Sequence, residues 1–139
     1  MAGAHLLPEA KRAELFDPVL QAFEALRQGM ASMEQWFTVD NGLRLSEALI
    51  SLNIGNNLAE AIRAGRDALK GVGDRLRATG SSTCRAAELA FIREATELYQ
   101  IQLRLCTQAE MSKAVRHVKN VINGSVMLEK LENRRTSAS

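Results

Sequence analysis

Apolar residues in this chain recur at alternating steps of three and four. Phe16, Val19, Phe23, Leu26, Met30, Met33 and Phe37 form one such run, and Leu58, Ile62, Gly65, Leu69, Val72 and Leu76 form a second. Steps of three and four keep side chains on one face of an α-helix, and a seven-residue repeat makes that face a seam that needs another helix to cover it. The chain can bury such seams only by packing helix on helix. No strand pattern competes, because alternation of apolar and polar residues never persists and β-branched residues are thin before Val115. Ala, Leu, Glu, Gln and Arg, the better helix formers, fill the sequence instead.

Punctuation between the runs divides the chain. Pro8 suits the start of a helix at Glu9, and Asp17-Pro18 offers a restart inside it, so the first helical region spans about 9–37. Thr38-Val39-Asp40-Asn41-Gly42 reads as a turn, with Asn-Gly as the stop. The second region spans about 43–78, with a break near 53–57 where Asn53-Ile54-Gly55-Asn56-Asn57 disturbs the phase. Gly80 suits the left-handed position past a helix end, and Ser82 or Thr83 can cap a third helix over about 85–123. A short helix at 126–131 and a solvated tail at 133–139 complete the reading, with one helical domain over 1–132.

The expected fold is therefore all-α, with three long helices in an antiparallel bundle. A third helix of about 39 residues would be about 58 Å long, roughly twice the stretch of about 20 residues that follows the Asp17-Pro18 restart in the first region. Its uncovered apolar surface points to completion by a second copy, a homodimer. The seam positions Phe16, Phe23, Met30, Phe37, Leu58, Ile62, Gly65, Leu69 and Leu76 are the candidates for helix packing or for that dimer contact. Gly65, between Ile62 and Leu69, marks a place where two helices approach closely.

Chemistry-bearing patterns are few. The densest basic cluster is Lys113, Arg116, His117 and Lys119, with its lysines and arginine one turn apart, a candidate contact for an anion or a nucleic acid. It lacks interleaved aromatics to stack on bases. Arg63, Arg66, Lys70 and Arg77 interleave with Glu60, Asp67 and Asp74, an alternating-charge solvent face with pairs such as Glu60–Arg63 and Asp67–Lys70. His5 and His117 have no partner at ligand spacing, so a metal site is not expected. Cys84 and Cys106, about 33 Å apart if they share a helix, are expected as thiols in a reduced, cytoplasmic protein. Glu94 and Glu97 read as surface carboxylates, and Gly71-Val72-Gly73 follows no strand and makes no phosphate loop.

With a net charge of +2, 46% hydrophobic residues and no apolar stretch of membrane-span length, a soluble domain without a membrane partner is expected. No constellation for a nucleophile, cofactor or metal is visible, so catalysis and cofactors are not expected. The excess of helical apolar surface favours a non-enzymatic module that binds another protein, such as an adaptor, inhibitor or accessory subunit. A nucleic-acid regulator using the Lys113–Lys119 face comes second. An assembling subunit of a filament or secretion machine, its third helix packing head-to-tail, comes third.

Overall fold

The computed structural model describes residues 5–122. Among these residues the chain forms α1 (Glu9–Arg27), α2 (Met33–Ser51), a 3-10 turn at Asn56–Leu58, α3 (Ala59–Thr79), α4 (Ala86–Leu105) and a further helix, α5, over 108–122. The all-helical class holds, but the three long helices of the sequence reading are five shorter ones. The expected helix at 126–131 and the tail at 133–139 lie outside the described residues.

Two boundaries differ, each because a helix cap interrupts the periodic run. The 9–37 helix stops at Arg27: Gly29 takes a positive φ of 71°, and Ser32 opens α2 with a capping box. Its hydroxyl accepts from Gln35 N–H while the Gln35 side chain accepts from Ser32 N–H. The 85–123 helix likewise divides at Cys106, whose backbone is extended. Thr107 then caps α5: its hydroxyl accepts from Glu110 N–H at 3.1 Å, and Glu110 carboxylate accepts from Thr107 N–H at 2.8 Å. The over-long third helix, and with it the first ground for a dimer, is gone.

Two expected interruptions are absent. α1 runs unbroken through Pro18. The Thr38–Gly42 turn is the middle of α2. Gly42 serves there as a close contact, for a Cβ would lie 3.0 Å from Val19 Cγ2 and 3.6 Å from Tyr99 Cε2. The expected break does occur, at Leu52–Gly55, where Asn53 and Gly55 both take positive φ. Gly80 ends α3 in the left-handed conformation as expected, with φ 76°. Ser82 does not cap α4; it is buried, and its hydroxyl accepts from Ala31 N–H across the α1–α2 loop.

Named contacts orient the helices. Trp36 Nε1 donates to Leu69 carbonyl at 2.8 Å while Glu47 meets Arg66, so α2 and α3 run antiparallel. Gly65 lies on Phe91 and Ala95 while Arg75 meets Glu88, so α3 and α4 do too. Phe16 packs on Tyr99 and Phe23 under Arg93, which sets α1 against α4. The order is up-down-up-down. One part of the core gathers Phe23, Leu26, Trp36, Val39, Leu43, Ile62, Leu69, Val72 and Ile92. A second gathers Leu7, Phe16, Val19, Leu49, Tyr99, Leu103, Cys106, Met111 and Ala114, and so ties α5 and the N-terminal strap, residues 5–8, to the bundle.

A basic-rimmed groove between the N-terminal strap and α5

Residues 5–8 lie against the α4–α5 junction. Leu6 bridges Thr107, Gln108 N–H donates to His5 carbonyl at 2.9 Å, and Arg12 Nη1 donates to Leu7 carbonyl at 3.1 Å. These bonds hold the start of α1 beside α5 without closing the gap between them. The result is a groove of about 720 Å³. Leu7, Pro8, Leu15, Met111 and Val115 give it an apolar floor; Lys11, Arg116 and Lys119 supply its charge, with Gln108 and Ser112 as neutral polar groups. Among the described residues no carboxylate lines it, although Lys11 stands 3.6 Å from Glu14, which is not part of the lining.

The basic cluster read from the sequence is thus divided by the fold. Lys113, Arg116, His117 and Lys119 are all exposed on α5. Arg116 and Lys119, one turn apart, enter the groove; His117 turns instead to a smaller depression with Arg44, Glu47, Arg66 and Val118. Lys113 lines neither. Lys11 and Leu15, from α1, were not singled out by sequence reasoning. No local pattern marks them, since their role depends on α5 folding back beside α1.

The seam residues separate in the same way. Phe16, Phe23, Ile62, Gly65, Leu69 and Leu76 are buried within the chain, and Leu58 is half-buried. Met30 is 76% and Phe37 48% exposed. The loop after Arg27 resets the helical phase, so the first run is not one face. A Cβ on Gly65 would collide with Ala95 Cβ and lie 3.0 Å from Phe91 carbonyl oxygen, a close approach inside one chain.

The charged stripe of α3 does more than face solvent. Arg66 reaches α2, 2.9 Å from Glu47 and 3.7 Å from Asp40, which Arg44 also holds at 2.8 Å. Arg77 lies over the Trp36 ring and 3.5 Å from Asp74. The expected Glu60–Arg63 and Asp67–Lys70 pairs are not formed among the described residues. Mixed signs make this stripe a self-neutralising surface.

Potential reactive groups are muted. Cys84 is half-buried and Cys106 buried, and each is a free thiol. Burial, with the Glu110 charge nearby, pushes the Cys106 thiol up to about 11; burial and Glu88 raise Cys84. Thiolates, the reactive forms, are thereby disfavoured at neutral pH. Among the described residues no three His, Cys, Asp or Glu side chains converge as a metal site would need, and no helix is long and apolar enough to cross a membrane. Comparison with protein-family models, curated proteins and solved structures finds no match.

Proposed function

We propose that the protein is a non-enzymatic interaction module whose groove between α1 and α5 receives an amphipathic, acidic segment of another protein. The observation that carries this reading is the lining: an apolar floor with three cations and, among the described residues, no carboxylate. An occupant that buries apolar side chains on Leu7, Leu15, Met111 and Val115 also places carboxylates against Lys11, Arg116 and Lys119. Apolar burial supplies affinity, while the matching charge chooses among partners and speeds encounter. Grooves of this kind take helices through anchors at steps of three and four. A cytoplasmic setting belongs to the same reading, in keeping with two cysteines present as thiols.

The homodimer expected from the sequence stays within this reading on new ground, the outer face of α4. The filament reading has lost its premise of a continuous third helix. The nucleic-acid reading is separated from ours by experiment. A fluorescent peptide with a leucine face flanked by glutamates should bind saturably, and its lysine-flanked counterpart should not. Lys11→Ala/Arg116→Ala/Lys119→Ala should abolish that binding with helicity unchanged, because Ala is the best helix former. Random duplex DNA should bind little even at about 50 mM salt. Tight duplex binding at physiological salt, lost in Lys113→Ala/Arg116→Ala/Lys119→Ala, would replace the module with the regulator.

A further inference from the structure

We propose that the outer face of α4 is a two-fold contact between two copies of this chain, centred on Ile101. This inference stands on a different surface from the groove and does not depend on it. Ile101 is 45% and Leu105 58% exposed on a helix whose inner face is already covered by α1, α2 and α3. Leu98, half-buried, and Leu105 stand three residues before and four after Ile101. Both offsets fall on the same side of it. Glu97 and Arg104 stand four before and three after, and fall together on the other side. Both are exposed, and neither forms an ion pair among the described residues.

This pattern is self-complementary for an antiparallel partner. Turn a second α4 about a two-fold axis at Ile101, and each Ile101 meets its copy. On one flank Leu98 then faces the second copy's Leu105; on the other, Glu97 faces its Arg104. In each pair the axial mismatch is one residue, about 1.5 Å, well within side-chain reach. The Ile101 pair, two leucine pairs and two ion pairs form at once, as an isologous contact requires. Antiparallel helices also oppose their macrodipoles favourably. A parallel partner would set Glu97 beside Glu97 and Arg104 beside Arg104. The charges therefore choose a second copy, and they choose its direction.

One helix pair makes a small interface, so dimerisation with a micromolar Kd is expected. Sedimentation equilibrium of the full chain should show a species of twice 15.3 kDa forming through the micromolar range. Ile101→Glu should leave a monomer. Glu97→Arg and Arg104→Glu should each weaken the dimer about tenfold, and the double swap Glu97→Arg/Arg104→Glu should restore the wild-type Kd. All three positions are exposed, and circular dichroism should show helicity kept in every variant. A monomer throughout, a dimer indifferent to Ile101→Glu, or a double swap that fails to recover would each overturn the proposal.

Discussion

Side chains that set the fold are often those whose chemistry argues against their place. Gln102 is fully buried between Ile101 and Leu103, while Ile101 and Leu105 point out. Its amide donates to the carbonyls of Ser46 at 3.1 Å and Ile54 at 2.9 Å, and its oxygen accepts from the Ser46 hydroxyl. A buried amide so satisfied costs little and pins the α2–α3 connection to α4. Tyr99 is the converse: its ring is wholly buried against Phe16, and its hydroxyl has no partner among the described residues. Tyr99→Phe removes a buried polar group without a cavity. Its stability in urea should be unchanged or higher by up to about 1–3 kcal/mol; clear destabilisation would show that the hydroxyl is bonded. Gly65→Ala tests the opposite sign. Ala gains about 1 kcal/mol of helix propensity, but its Cβ meets Ala95 and a backbone carbonyl. A net loss of about 1–3 kcal/mol is expected, as for overpacking, and a raised Tm would show that α3 and α4 can separate there.

Among the elements, legibility followed the kind of signal. The second run of steps was readable because α3 is uninterrupted, and Ile62, Leu69, Val72 and Leu76 are buried on it. The first run misled, since three-four spacing continues by chance across the loop at 28–32. Both missed boundaries carried their own mark, Ser32-x-x-Gln35 and Thr107-x-x-Glu110, a cap with its reciprocal partner three residues on. Asn41-Gly42 was a false stop because tertiary packing overrode local preference. The groove was half legible: Arg116 and Lys119 stood out by density, but Lys11 joins them only through folding. The start of α4 shows a further contribution that no pattern marked. Glu88 accepts from Arg75 Nη1 at 3.1 Å and from Arg85 N–H at 2.9 Å. Partial burial raises its pKa, but these bonds and charges outweigh that and leave it below 4.5. A depressed folded pKa means that the unfolded chain takes up the proton first. The stability this carboxylate contributes is whole above about pH 4.5 and is lost as pH falls towards its folded value. Glu88→Gln should lower Tm at pH 7 and flatten its decline below pH 5. Parallel Tm profiles for the two proteins would remove Glu88 from the acid response.

Across the whole molecule, stability is distributed unevenly, and the groove sits at the weaker end. α3 and α4 bury a continuous face in the larger part of the core. α5 is held by buried Met111 and Ala114, half-buried Val115 and Val118, and the strap at residues 5–8. Segments with few buried apolar contacts open locally at lower free energy than the core. Amides of α5 should therefore exchange with solvent faster than those at the centres of α3 and α4. Leu7 is the hinge of this difference, since it is buried in the second core cluster and lines the groove as well. Truncating a buried Leu to Ala costs about 2–5 kcal/mol. If α5 opens as its own unit, Leu7→Ala should accelerate exchange across 108–122 and leave the slowest amides of α3 and α4 far less changed. A groove occupant binds only the closed arrangement, so the glutamate-flanked peptide should slow exchange in α5 in proportion to its saturation. Uniform acceleration throughout the chain in Leu7→Ala would mean that strap, α5 and bundle unfold together. The groove would then be a fixed feature of one cooperative fold, with no local opening for a bound partner to suppress.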